Sequence, residues 1–209
     1  MARPASAGFS RDALWIVLPV KPLAEGKSRL MPGGADRHAI NQAFCHHVMH
    51  VACQTIAPEH VVVVSRDEAV LAMGRRAGAR ALREGEGDLN DALAFGAGFA
   101  RARGASGILS LFADLPFLTR GDLLAMISAF DGTNLVIAPD EDGSGSNALL
   151  MAPGALPYRH GPGSFWRHLD AARETSCAFG IIRREGLMCD IDVPAHLARL
   201  PATRPHEHH

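Results

Sequence analysis

No apolar run in this chain reaches the length needed to span a bilayer, and the opening MARPASAGFSRDA lacks the apolar core of a signal peptide. A cytoplasmic protein with no membrane partner is the expectation. No block of Lys or Arg stands out either, and the formal charge is only -1. Double-stranded nucleic acid needs a basic footprint to neutralise its phosphates, so nucleic acid is excluded as a partner. A small anionic substrate needs only a local cluster of cations, which net charge does not exclude. The cysteines Cys45, Cys53, Cys177 and Cys189 form no C-x-x-C pair, and no His stands at finger spacing from them. They read as idle thiols of a reducing compartment rather than as zinc ligands or disulfides. The His-rich end, His206 to His209, is set aside from the metal reading. Repeats, linkers and a compositional sign of disorder are missing too: hydrophobic residues make up 47% and charged residues 21%. The 209 residues therefore suit one domain over 1–209, with flexible tails at about 1–12 and 201–209. A chain of that size buries roughly 70% of its unfolded surface and needs no staples.

Short apolar runs alternate with helical periodicity along the chain. LWIVLPV at 14–20 reads as a buried strand. A helix capped by Asp36 is expected to about Ile56, with Ile40, Phe44, Val48 and Val51 on one face. HVVVVS at 60–65 is a second strand, β-branched throughout, and Asp67 opens a helix that Gly78 ends. A weak strand follows at Ala79–Leu82, then a helix from about Leu89 to Arg103. Gly96 and Gly98 weaken that helix by roughly 1 kcal/mol each unless packing or a ligand needs the space. GILSLFA at 107–113 is a third strong strand, followed by a helix over about Arg120–Phe130. NLVIAP and SNALLMA, joined by the turn-rich DEDGSG, are expected to pair antiparallel. A helix from Ser164 to about Thr175 and a short strand near Leu187–Ile191 complete the pattern. It predicts a three-layer α/β fold with a mostly parallel sheet and one reversed strand. In such sheets, ligands bind beyond the carboxyl ends of the strands.

Five segments carry chemistry. LPVKPLAEGKSRL follows the first strand and holds Lys21, Lys27 and Arg29 with Gly26 and Ser28. Three cations and a glycine there suit a polyphosphate, although the Walker G-x-x-x-x-G-K-[ST] is absent and a solvated basic loop is the alternative. LFADLPFLT puts Asp114 directly after an apolar strand, where a carboxylate can hold Mg²⁺ against phosphate. The alternative for Asp114 is a turn or helix cap, but Thr119 and Asp122 look like the caps of the next helix. CDIDVP places Asp190 and Asp192 on one side of an extended segment, where they repel unless a cation lies between them. DGSGSNALL and HGPGS are glycine-rich, and Ser164 opens a helix whose N-terminus favours an acceptor's anion. GDLNDAL sets Asn90 in a first helical turn, to bond a nucleotide or to act as a cap.

Taken in order, these segments resemble the 2-phospho-L-lactate guanylyltransferase family (CofC/FbiD), a branch of the MobA-like nucleotidyltransferases. The family's VPVKPLxxAKSRL reads LPVKPLAEGKSRL here, its LNxAL reads LNDAL, its ADLP is unchanged, and its G-T-N-A-L reads GSNALL. HGPGS stands for F-G-x-x-S and DIDVP for D-I-D-x-P. The resemblance spans nearly the whole chain. It implies a Rossmann-like nucleotidyltransferase fold, Asp114, Asp190 and Asp192 as metal ligands, and Mg²⁺ as cofactor. It implies Lys21, Lys27, Ser28, Arg29 and Asn90 as nucleotide contacts, with Lys27 also catalytic. Ser146, Gly161 and Ser164 would contact the acceptor. Gly26 for the usual Ala, Asp88 for Gly and His160 for Phe are departures.

The implied activity is transfer of GMP from GTP to a small phosphorylated hydroxy acid, with pyrophosphate released, in making a deazaflavin coenzyme. The acceptor is 2-phospho-L-lactate, phosphoenolpyruvate or 3-phospho-D-glycerate, and the departures near Gly161 leave that choice open. A homodimer is the default expectation for assembly. One alternative is a molybdenum-cofactor-type nucleotidyltransferase, against which the missing L-A-G-G-x-S-x-R-M-G counts. A nucleotide-sugar glycosyltransferase would carry its D-x-D mid-chain. The third alternative is a nucleotide-binding protein without turnover.

Overall fold

Strand residues here alternate between two apolar faces, and that period of two decides the layering. The structure, a computed structural model, describes residues 10–25 and 35–190. Its strands are β1 (Leu14–Pro19), β2 (Val61–Ser65), β3 (Arg80–Arg83), β4 (Gly107–Leu111), β5 (Leu135–Pro139), β6 (Ser146–Met151) and β7 (Phe179–Ile181). They form one sheet in the order β3-β2-β1-β4-β6-β5-β7. The pairs β1–β2, β1–β4, β2–β3 and β5–β7 are parallel. Only β6 runs against its neighbours β4 and β5, as the DEDGSG turn predicts.

The helices are α1 (Ala35–Thr55), α2 (Glu68–Arg76), α3 (Leu89–Arg101), α4 (Arg120–Ala129), α5 (Ser164–Glu174) and α6 (Glu185–Met188). Leu14, Ile16 and Leu18 of β1 share one core with Cys45, Val48 and Met49 of α1 and with Leu123 and Met126 of α4. Trp15 and Val17, one residue out of phase, join Leu93 and Ala100 of α3 on the opposite face. Phe165 and Leu169 of α5 cover the β5–β6 end of that second face. Burying each such side chain stabilises the fold by roughly 1.5–3 kcal/mol.

Two details of the sequence reading are corrected. Helix α1 begins at Ala35, so Asp36 lies inside it and is not its N-cap. Leu187 and Met188, expected in a closing strand, belong instead to α6, and Ile191 of that expected strand lies outside the described residues. The edge strand beside β5 is β7, for which the sequence pattern predicts no strand. Asn147 explains why the closing segment is not a strand: its amide donates to the carbonyls of Leu187 (3.1 Å) and Met188 (3.3 Å), which a ladder strand would need for itself. Leu187 is fully buried in the main core, so its apolar signal marks a docking point rather than a strand. The edge strand β7 is half exposed and three residues long, which leaves little period-two signal to read. Among the described residues, no helix is long and apolar enough to cross a membrane.

Candidate active site

The carboxyl ends of β1 and β4 lie side by side because those strands pair in parallel. After β1 the chain stays in the sheet for one more residue, with the Val20 amide donating to the Val64 carbonyl at 2.9 Å. Leu23 then anchors the turn. Its amide donates to Asp67 Oδ2 (3.1 Å), and its carbonyl accepts from Asn41 Nδ2 (3.1 Å). Asp67 also caps α2 by accepting from the Ala69 amide at 2.9 Å. Two anchors on a buried Leu23 therefore hold Lys21 exposed at the tip of the sheet. Lys27, Ser28 and Arg29, from the same segment, lie outside the described residues.

Beyond β4, Leu115 and Leu118 are buried and leave Asp114 at the strand tip, half-buried, with Oδ1 shielded from solvent. The cap of α4 is Thr119 in a capping box with Asp122, as the sequence indicates. Thr119 N–H donates to Asp122 Oδ2 at 2.9 Å, and Arg184 donates to Asp122 from the other side. Burial pushes the Asp122 carboxyl up, but the bonds from Thr119 and Arg184 outweigh it and hold the pKa below the ordinary range. Capping α4 is thus assigned to other side chains than Asp114. Asp190 follows α6, the segment that Asn147 pins to β6. Asp192 lies outside the described residues, so the expected pairing of the two aspartates does too.

Asn90 does more than its place in the sequence suggests. Asp88 is the N-cap of α3, in a capping box with Asp91. The Asn90 amide reaches across 70 residues: Oδ1 accepts from the His160 amide at 2.7 Å, and Nδ2 donates to the His160 carbonyl at 3.3 Å. It therefore staples the GDLND turn to the HGPGS loop. In that loop Gly161 (φ +124°) and Gly163 (φ +70°) take left-handed conformations that a side chain would strain.

Two adjoining cavities share Lys21. One of about 300 Å³ is walled by Lys21, Asn41, Phe112 and Asp114. The other, about 500 Å³, is walled by Lys21, Arg66, Glu84, Asn90, His160 and Gly161. Of the expected residues, Lys21, Asp114, Asn90 and Gly161 thus converge on one region. Ser146 and Ser164 line neither cavity. Each is only 2% exposed, and their hydroxyls lie 3.4 Å apart. The first α5 amides are also engaged, Ser164 N–H with the Gly161 carbonyl and Phe165 N–H with the Ser144 carbonyl, both at 3.0 Å.

Behind the loop, His160 packs against the rings of Phe112, Tyr158 and His168. Burial lowers its pKa to about 3, and the neighbouring His168 and Arg167 add to that. His168 is lowered to about 4, mainly by burial. Both rings are neutral at physiological pH. Sequence reasoning noted His160 only as a departure and missed His168 and Asn147. The four-residue step from Ser164 to His168 on one helix face was the available signal.

The chain matches the family model described as "Guanylyl transferase CofC like" over residues 14–200. It belongs to that family. The CofC-like chain is 40% identical over 197 residues to a phosphoenolpyruvate guanylyltransferase of Rubrobacter xylanophilus, covering 91% of this chain and 95% of that one. It is 28% identical over 187 residues to a 2-phospho-L-lactate guanylyltransferase of Methanothermobacter thermautotrophicus, covering 88% and 82%. Among solved structures, a nucleotidyl transferase of the latter organism superposes with a TM-score of 0.61 at 18% identity, covering 88% of this chain and 95% of that one. The fold is thus Rossmann-like, and the CofC-like protein is an enzyme of the nucleotidyltransferase type.

Proposed function

We propose that this CofC-like protein transfers GMP from GTP to a small phosphorylated carboxylic acid, with phosphoenolpyruvate as the first acceptor to test. The observation that carries this reading is the position of Lys21, which walls both the cavity reaching Asp114 and the cavity reaching Asn90 and Gly161. Two anionic reactants can meet there beside a shared cation. The 40% identity to a phosphoenolpyruvate guanylyltransferase supports the choice of acceptor. The product would serve deazaflavin coenzyme synthesis.

An oxygen of the acceptor phosphate attacks the α-phosphorus of GTP. The bond from that phosphorus to the bridging oxygen of the β-phosphate breaks, and pyrophosphate leaves with the electron pair. No general base is needed, because the attacking phosphate is already ionised near neutral pH. The residues' task is to hold two anions in line. Lys21, with Lys27, Ser28 and Arg29 of the same segment, would bind the triphosphate. Asn90 would touch the nucleotide, and Gly161, with Ser146 and Ser164 behind it, would receive the acceptor.

The donor set fits a hard divalent cation. Asp114 offers carboxylate oxygen at the tip of β4, and Asp190 sits on a segment tied to neighbouring β6. Among the described residues no three His, Cys, Asp or Glu side chains converge, so the cluster needs Asp192 as its third member. Mg²⁺ held by Asp114, Asp190 and Asp192 would neutralise phosphate charge when bound.

Purified protein mixed with GTP, MgCl₂ and each of the three phospho-acids, assayed for pyrophosphate, tests the reading. Pyrophosphate should appear with GTP and phosphoenolpyruvate, fall sharply with ATP or CTP, and stop in EDTA. Release without any acceptor, or none with all three, would overturn it.

A further inference from the structure

We infer that His168 is a positioning residue: it fixes the hydroxyl pair of Ser146 and Ser164 so that a hydrogen is left to donate to an anionic acceptor. The inference rests on the reading above that the Gly161 loop receives the acceptor.

His168 is 2% exposed and bonded at both ring nitrogens. Its Nε2 lies 3.0 Å from the Arg159 backbone nitrogen. A backbone N–H can only donate, so Nε2 must be the unprotonated, accepting nitrogen. The neutral ring then carries its hydrogen on Nδ1. Nδ1 stands 3.1 Å from Ser146 Oγ, so the ring donates and Ser146 accepts.

A count of hydrogens follows. Ser146 and Ser164 bring two hydroxyl hydrogens, and the 3.4 Å gap between their oxygens can use only one of them. His168 cannot take the other, because its only lone pair faces Arg159. Among the described residues neither hydroxyl makes a hydrogen bond to any other acceptor. One buried O–H is therefore left over, a costly state that an anion's oxygen relieves. Were the ring the other tautomer, Ser146 would donate to it, and the pair would have no hydrogen to spare.

The surroundings suit an anion. A Cβ built on Gly161 would sit 3.1 Å from Arg167 Nη2, so that guanidinium flanks the loop. Arg159 and Arg167 both act electrostatically on His168, and Arg167 acts on His160. These cations supply attraction, and the serines supply direction.

The first test reads the tautomer directly. Two-bond ¹⁵N–¹H couplings of the wild-type histidines should show His168 protonated at Nδ1; protonation at Nε2 overturns the inference. The second compares His168→Leu, which removes both bonds, with His168→Asn, whose amide can replace the Nδ1 donor. His168→Leu should raise the acceptor KM about tenfold, the scale of one hydrogen bond to a charged group, with the GTP KM within about twofold. His168→Asn should restore most of the loss. In a Ser146→Ala background the effect of His168→Leu should vanish, because the ring acts through that hydroxyl. Equal losses in both backgrounds, or equal rises in both KM values, would show a structural role only. Should His168→Leu not fold, the wild-type tautomer still decides the point, protonation at Nδ1 supporting the inference and protonation at Nε2 overturning it. Wild-type protein without turnover on any acceptor would instead refute the assigned activity, and the tautomer measurement stands apart from it.

Discussion

Asp114 and His160 show how burial gives a single side chain opposite consequences. At the tip of β4 a carboxylate is useful because it repels its kind and attracts a cation. Asp114→Asn keeps the shape and removes the charge. It should lower kcat by roughly 10²-fold, about 3 kcal/mol of barrier, with the melting temperature unchanged or raised. The loss should not add to that of Asp190→Asn, because residues acting as one unit fail together. Near-normal turnover with a lowered melting point would mark Asp114 as a turn residue. His160 is the converse. Both its ring nitrogens are buried without a hydrogen-bond partner among the described residues, so the ring has lost hydration and gained only aromatic contacts. His160→Phe should stabilise the protein by about 1–2 kcal/mol, read as a rise in denaturant midpoint at constant slope. A lower midpoint would mean that the imidazole is satisfied in solution.

Helix α3 shows the same contrast at the scale of an element. Its two glycines look alike in sequence, and each is expected to weaken the helix. A Cβ on Gly96 would lie 2.5 Å from Val17 Cγ1 and 2.9 Å from Val64 Cγ2, both on the sheet beneath. Gly96 is therefore the contact that lets α3 rest on β1 and β2. A Cβ on Gly98 would meet nothing within 4 Å. Gly96→Ala should cost about 1–3 kcal/mol through overpacking, whereas Gly98→Ala should gain up to about 1 kcal/mol of helix propensity. Equal effects in thermal melts would contradict this packing. The caps of α2 and α4 were legible beforehand, since Asp67 and the Thr119–Asp122 pair are local signals. Helix α6 and strand β7 were not. Each spans only three or four residues, and what fixes them is a distant partner: the Asn147 amide for one and the exposed edge of β5 for the other.

For the whole molecule, the two buried imidazoles predict an acid limit to stability. Their folded pKa values, about 3 for His160 and about 4 for His168, lie below the ordinary 6.5. Between about pH 6.5 and 4 the unfolded chain therefore binds protons that the folded chain refuses. Stability falls as pH drops through that window, by at most about 1.4 kcal/mol per pH unit for each ring. Above it, this contribution is level. Denaturant melts from pH 7.5 to 4.5 should show the decline, and His160→Phe should remove roughly half its slope. A flat profile would mean that these rings take up protons as readily in the folded chain as in the unfolded one.

The sequence by itself determined the layered α/β plan, the reversed β6 and the family, because period-two strands, local caps and ordered motifs are properties of neighbours along the chain. It also marked Lys21, Asp114, Asn90 and Gly161, whose convergence the structure then displays. Only the tertiary structure decided that Asn90 staples the HGPGS loop, that Asn147 holds the segment before Asp190, and that His168 governs the Ser146 hydroxyl. Each of these is a hydrogen bond across 22 to 70 residues. Such a bond exists because burial has removed water as a competing partner, and a one-dimensional pattern carries no record of which distant groups are buried together.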